Sequence, residues 1–80
     1  MKLIIVYWTD AECNEDWCEV DEGKSWAEQN MKETKTVGWI IHDCDSHISI
    51  AQTVDEEQYA NIWKIPKGMV ADVKVLSDDD

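Results

Sequence analysis

Apolar side chains recur along this chain in short runs that have the period-2 alternation of β-strands. Residues 35–42 show the strongest pattern, because β-branched and aromatic side chains stand at both phases of the alternation. Val37, Trp39 and Ile41 share one predicted face of this strand. The other face begins with Gly38 and ends with His42. The pattern predicts a strand buried on two sides, with room at the glycine for a bend or a bulky neighbour.

The same alternation predicts four more strands. They are expected at residues 2–8, 47–54, 59–65 and 69–76. The acidic turn 43–46 should join the second and third strands into a hairpin. The sequence Ile65-Pro66-Lys67-Gly68 should interrupt the ladder, because proline has no N–H to donate and glycine permits a turn. A single short helix is expected from Trp26 to about Lys32, since Ser25 and Glu28 have the spacing of a capping box.

This order of elements predicts a mainly β fold, namely a small five-stranded antiparallel SH3-like barrel with a long acidic first loop. An OB-type barrel and an α+β sheet carrying the short helix remain open alternatives. Eighty residues are enough for one small domain, expected at 1–76, followed by a disordered acidic tail at 77–80.

The charge balance narrows the choice of partners. Eighteen acids stand against seven lysines and arginines, which gives a formal net charge of -11. This charge excludes direct binding to nucleic acid or anionic membranes through a broad basic surface. It favours a partner protein with a basic surface, including one whose nucleic-acid groove an acidic surface could imitate. The chain has neither an apolar run of membrane-spanning length nor a signal peptide, so a cytoplasmic location is expected, with three free cysteine thiols.

The most acidic stretch is also the best candidate for a partner-binding site. Seven acids and no base fall between Asp10 and Glu22, and Trp17 lies among them. We expect this tryptophan to anchor a contact toward which the acids steer a basic partner. An equally weighted alternative is that it pins the loop to the barrel. The predicted partner-binding residues are Trp8, Asp10, Glu12, Glu15, Asp16, Trp17 and Glu19.

Two other tryptophans are predicted in strands, and one of them suggests an alternative ligand site. Trp39 and Trp63 are expected in the core, as large aromatics in strands usually are. An alternative ligand site would combine Trp63 with Lys64 and Lys67, with the indole stacking on a nucleotide base and a lysine meeting its phosphate.

Cysteine and histidine residues raise two further possibilities. A zinc site could draw its ligands from Cys13, Cys18, His42, Cys44 and His47. Their spacing is not that of a standard zinc finger, and an acidic hairpin beside one partly buried thiol explains it equally well, so no cofactor is predicted. A nucleophilic Cys44 is rejected because Asp43 and Asp45 are expected to raise the pKa of its thiol. The protein is therefore predicted not to be an enzyme.

Several short motifs are similar to those of a known group of proteins. They are Trp8-Thr9-Asp10, the isolated Trp17, Thr36-Val37-Gly38-Trp39 and Ile65-Pro66-Lys67-Gly68-Met69-Val70. This pattern, which covers most of the chain, resembles a group of short, uncharacterised phage and prophage proteins. The resemblance implies a phage origin and a small β fold, and it implies no known reaction.

The leading functional prediction combines this resemblance with the acidic charge. It is a phage accessory or counter-defence protein that binds and blocks a host factor in the host cytoplasm. A homo-oligomer is expected, because the exposed edges of a small sheet and its surplus aromatic side chains favour association with another copy. The alternatives are a sponge for a nucleotide signal and a small zinc-binding structural module.

Overall fold

Five strands form one antiparallel sheet in the computed structural model, which describes residues 1–78. The elements are β1 (Lys2–Thr9), α1 (Val20–Glu28), β2 (Glu33–Asp43), β3 (His47–Val54), β4 (Tyr59–Pro66), a 3-10 turn (Lys67–Met69) and β5 (Val70–Asp78). The mainly β prediction and the β2–β3 hairpin are confirmed. Every predicted strand agrees with the observed one to within two residues at each end.

The strand order across the sheet is β4-β3-β2-β1-β5. Each strand is antiparallel to its neighbours, and the 3-10 turn follows Pro66, where the chain was predicted to leave the ladder. β4 and β5 are the two edges, so the sheet is not closed. The mainly β fold therefore holds, whereas closure into an SH3-like barrel is not confirmed.

The core lies on one face of the sheet. Its buried members are Ile4, Val6, Trp8, Ile48, Ile50 and Ile65. Trp8 can be buried because its indole N–H donates to the hydroxyl oxygen of Thr36 at 2.9 Å, which satisfies the one polar atom that burial would otherwise penalise. Trp8 is only 6% exposed, so its prediction as a contact residue on a binding rim is wrong.

The backbone of β3 comes very close to β2 at Gly38. A Cβ on Gly38 would lie 2.8 Å from the carbonyl oxygen of Ala51, closer than side chains pack. Backbone pairing between β2 and β3 begins only at the next residue, Trp39, which is opposite Ala51. The sequence predicted room at this glycine for a bend or a bulky neighbour, and the space is taken by the backbone of β3 at Ala51.

A bulge in β2 changes which face His42 occupies. Ile40 lies opposite Ile50, but His42 lies opposite Ser49, so Ile41 is the extra residue. The insertion reverses the alternation beyond it. His42 therefore shares a face with Ser49 and Trp39, and its predicted position on the face of Ile40 is wrong.

The helix lies earlier than predicted. It begins after Glu19 and ends at Glu28, so Ser25 is inside the helix and not at its N-cap. Two acids in the first turn, Asp21 and Glu22, interact favourably with the positive end of the helix dipole. No residue of α1 is buried, and the helix makes at most sparse contact with any strand. We call residues 10–28, the loop together with this helix, the acidic arm.

Two large apolar side chains near the helix are exposed. Trp26 is 39% exposed and Met31 is 54% exposed. Both line a cavity of about 200 Å³ at the end of the arm, together with Glu12.

The edges of the sheet expose apolar side chains that sequence alone placed inside. Trp63 on β4 is 44% exposed, which corrects its assignment to the core, whereas Trp39 on β2 is half-buried. Ser77 and Asp78 belong to β5 and pair with β1, so the predicted tail is wrong for these two residues. Its last two positions, 79 and 80, lie outside the described residues. Within residues 1–78, no helix has both the length and the apolar character needed to cross a membrane.

Candidate functional site

The acidic arm presents its central aromatic to solvent. The relative exposure of Trp17 is 102%, so its side chain touches almost nothing else in the chain. Trp17 lines a shallow hollow with Cys18, Glu19 and Glu22. The alternative in which this tryptophan pins the loop to the sheet is inconsistent with such exposure.

The loop ahead of Trp17 is shaped by its own polar side chains. The carboxylate of Asp10 accepts a hydrogen bond from the backbone N–H of Ala11 at 2.8 Å, and Asn14 accepts one from the N–H of Asp16 at 3.2 Å. These local bonds compete with regular structure and favour turns. The predicted contact residues of the loop are exposed, apart from Trp8, which lies in the core.

The residues of the alternative nucleotide site are not brought together. Trp63 and Lys64 are neighbours on β4, so their side chains project to opposite faces of the sheet. The indole N–H of Trp63 donates to Gln52 at 3.1 Å. Lys67 forms an ion pair with Asp43 at 2.7 Å, and this hydrogen bond raises the pKa of the lysine. The structure thus offers no shared pocket for a base and a phosphate among these three residues.

Three potential metal ligands do converge, at the turn between β2 and β3. One ligand atom from each of His42, Cys44 and His47 lies within 4.8 Å of the other two. The imidazole rings of the two histidines have centroids 5.3 Å apart at an interplanar angle of 34°. The sulfur of Cys44 is 3.5 Å from Nδ1 of His47. We call these three residues the turn triad.

Cys13 and Cys18 do not belong to this cluster. Both are exposed on the acidic arm, and all three cysteines are unpaired. The arm leaves β1 at Thr9, which is opposite Glu33, whereas the turn triad follows the other end of β2, beyond Trp39. The two groups therefore extend from opposite ends of the β1–β2 pair, and a site that combines all five predicted ligands is not formed.

The environment of Cys44 contradicts the expectation drawn from its acidic neighbours. Hydrogen bonds from the Ser46 hydroxyl first, and then from backbone N–H groups of His47 and Ser46, lower the pKa of the Cys44 thiol to about 6. They stabilise the thiolate directly. The expected increase in pKa from Asp43 is further offset because that carboxylate is paired with Lys67. The reason given for rejecting a reactive Cys44 is thus wrong, while the absence of catalysis stays a prediction.

Ser46 is the functional residue that sequence reasoning missed. Its hydroxyl is 3.3 Å from the sulfur of Cys44 and 2.8 Å from Nδ1 of His47. A serine within an acidic turn gives no special signal, because serine is common in turns of every kind. Its position between a cysteine and a histidine, two residues from one and adjacent to the other, was the available clue.

Comparison of this chain with protein families, with curated proteins and with solved structures gives no match, so its function is argued from the geometry of its own residues.

Proposed function

We propose that this protein is a non-enzymatic binding protein that engages a basic surface of another protein through the acidic arm. The observation that carries the proposal is the full exposure of Trp17 within a segment of seven acids and no base, from Asp10 to Glu22. The segment contributes nothing to the core, so folding by itself does not explain a tryptophan there.

The chemistry of the arm suits such a contact. Tryptophan is enriched among the residues that dominate binding energy, because it buries a large area and loses few rotamers on binding. Carboxylates around it act over a longer range and raise the association rate for a positively charged partner. Asp16 and Glu19 flank Trp17 closely in sequence, and Glu19 lines the same hollow. The arm therefore combines an aromatic anchor with electrostatic steering.

The wider role that we propose follows from the phage resemblance and the net charge of -11. The partner is a host protein in the cytoplasm, and the acidic arm blocks it by occupying a site that normally receives a polyanion. A basic surface built for phosphates would attract the arm for the same electrostatic reason.

The test is affinity capture from a bacterial lysate with the parent chain and two variants side by side, followed by binding kinetics with the captured protein. Trp17→Ala should speed dissociation at least tenfold, because it removes the anchor. The double variant Asp16→Asn/Glu19→Gln should slow association and flatten its dependence on salt.

A matched control separates local steering from net charge. Glu56→Gln/Glu57→Gln also removes two negative charges, but from the exposed turn between β3 and β4. We expect the control to bind its partner with nearly parental kinetics. Equal binding by the parent and Trp17→Ala would refute the proposal, as would equal losses in the arm variant and the control.

A second observation favours self-association. The chain exposes 6364 Å², whereas a compact monomer of its mass would expose about 5,000 Å². Part of this excess lies on the edge strands, where Ile62 is 52% exposed on β4 and Val75 is 56% exposed on β5. Unpaired strand edges that carry apolar side chains favour pairing with another copy.

Sedimentation at low and high salt tests this point. Assembly should tighten as salt rises, because screening weakens the repulsion between acidic copies. Ile62→Lys should weaken assembly, while Val20→Lys, at a still more exposed position on the helix, should not. A monomer under both salt conditions would contradict the proposal of a homo-oligomer.

A further inference from the structure

Two features of β2 and β3 gather the turn triad. The bulge at Ile41 places His42 on the same face as Ser49. His47 is two residues before Ser49 on β3, and alternate residues of a strand share a face. The two imidazoles therefore lie side by side, as their ring separation of 5.3 Å shows. Cys44 occupies the turn between them.

The distances within the triad are close to those of a tetrahedral metal site. Bonds of about 2.3 Å to sulfur and about 2.0 Å to nitrogen place two ligand atoms about 3.5 Å apart at a tetrahedral angle. The sulfur of Cys44 and Nδ1 of His47 are 3.5 Å apart. The largest separation in the triad is within 4.8 Å, and rotation of the exposed His42 ring can shorten it.

The backbone around the triad is braced from two directions. The backbone N–H of Cys44 donates to the carbonyl of His47 at 3.0 Å, which closes the turn. The backbone N–H of Lys67 donates to the carbonyl of Ser46 at 2.9 Å, and its side chain pairs with Asp43. The segment that follows β4 therefore holds the β2–β3 turn. Such support around ligands reduces the cost of organising them for a metal.

The geometry points to a metal site at the turn triad, in which His42, Cys44 and His47 bind one zinc ion and leave a fourth position open. Two imidazoles and one thiolate are ligands that Zn²⁺ prefers, and they are poor ligands for Ca²⁺ and Mg²⁺, which select oxygen. The open position faces solvent, because His42 is exposed and the other two ligands are only partly buried. Water or a donor group from a partner can complete the tetrahedron there.

This site is independent of the partner-binding proposal. The acidic arm follows β1, whereas the triad lies in the turn between β2 and β3. Zinc binding can therefore fail while partner binding through Trp17 persists, and the reverse also holds.

Titration with Co²⁺, followed by competition with Zn²⁺, tests the inference. Co²⁺ reports its own ligands, since a thiolate gives a charge-transfer band and a tetrahedral site gives intense visible bands. We expect one ion per chain with both signatures, and displacement of the cobalt by zinc. Zinc should also raise the melting temperature, because it binds the folded state.

Variants assign the ligands. Cys44→Ser should abolish the thiolate band and weaken zinc binding at least tenfold. Removing a group that only supports a ligand already weakens metal binding about 10–100-fold, so loss of a ligand should cost no less. His42→Ala should weaken binding similarly, and because His42 is exposed, its loss should leave the metal-free melting temperature near that of the parent. The matched control is Cys13→Ser/Cys18→Ser, which removes the exposed thiols of the arm and should bind as the parent does.

Several results would overturn the inference. One is a thiolate band that survives Cys44→Ser and disappears in the Cys13→Ser/Cys18→Ser control. Another is cobalt bound without any thiolate band, which would exclude Cys44 as a ligand. Unchanged zinc affinity in a folded His42→Ala chain would exclude the third ligand and with it the proposed site.

Discussion

From Ile4 to Trp8 on β1 every second side chain is buried in the core, whereas no side chain of α1 is buried at all. The two regions differ in how their structure is held. Strand residues such as Ile4 and Val6 pack within a sheet that also satisfies their backbone groups. The nine-residue helix has only its own hydrogen bonds and a favourable charge distribution in its first turn, and isolated helices of this length are marginal in water.

The contrast teaches where stability and function should separate in this chain. Changes in the sheet core should alter the free energy of unfolding. Changes in the acidic arm should alter binding and leave unfolding almost untouched. Paired substitutions, one in the sheet core and one in the acidic arm, test whether stability and binding separate in this way.

A large loss of stability is expected for Ile50→Ala. Ile50 is fully buried at the centre of β3, so its truncation should cost roughly 2–5 kcal/mol of the free energy of unfolding. Val20→Ala, at a position 72% exposed on α1, should change it by less than about 0.5 kcal/mol. Urea denaturation of both variants measures the difference, and comparable losses would show that the helix is packed as the sheet is.

A smaller loss is expected for Gly38→Ala. The new methyl group would meet the Ala51 carbonyl at 2.8 Å, so the β2–β3 hairpin must shift, at a cost of roughly 1–3 kcal/mol. Gly68→Ala is the control, because nothing lies within 4 Å of a Cβ at that position. Thermal melting compares the two, and a Gly38→Ala chain as stable as the control would contradict the close approach of β3 to Gly38.

The third prediction concerns the reactivity of the thiol at the turn. In a chain with Cys13→Ser and Cys18→Ser, Cys44 is the only thiol, and only its thiolate form is alkylated. Its pKa is lowered to about 6, so the alkylation rate should rise with pH and reach half its plateau near pH 6. Adding Ser46→Ala should move this midpoint to higher pH, because the hydroxyl that chiefly stabilises the thiolate is gone.

Alkylation rates measured in metal-free buffer across pH 4–10 give the midpoint for each chain and show whether Ser46→Ala moves it to higher pH. Ser49→Ala is a suitable control, since Ser49 lies on β3 outside the turn. An unchanged midpoint in the Ser46→Ala chain would mean that the hydroxyl does not set the pKa of the thiol.

The smallest effect on stability is expected for Trp17→Ala. Its side chain is fully exposed, so the free energy of unfolding should stay within about 0.5 kcal/mol of the parent. Trp8→Ala, measured beside it, should cost roughly 3–5 kcal/mol because Trp8 is buried and donates to Thr36. Denaturant unfolding measures both variants. Equal losses in the free energy of unfolding would contradict the view that the core, and not the arm, determines stability.

Local patterns in the sequence were enough to predict the strands and their succession along the chain. Alternation of apolar residues is a local signal, and Pro66 with Gly68 marks the break before β5 without reference to any other part of the chain. The hairpin was predictable for the same reason, since only a short acidic turn separates two strong strand patterns. Even the tight contact at Gly38 was foreseeable, because a glycine within such a pattern signals close approach.

Only the tertiary structure decided which tryptophans are buried. Trp8 and Trp63 both lie in strands, yet one is buried and the other is 44% exposed. β1 has a neighbouring strand on each side, whereas β4 is an edge strand that buries Ile65 but leaves Trp63 partly uncovered. Which strand is internal depends on the whole chain. The turn triad depended on tertiary structure too. A one-residue bulge at Ile41 moved His42 to the face of His47, and no local pattern marks an insertion whose existence depends on the partner strand.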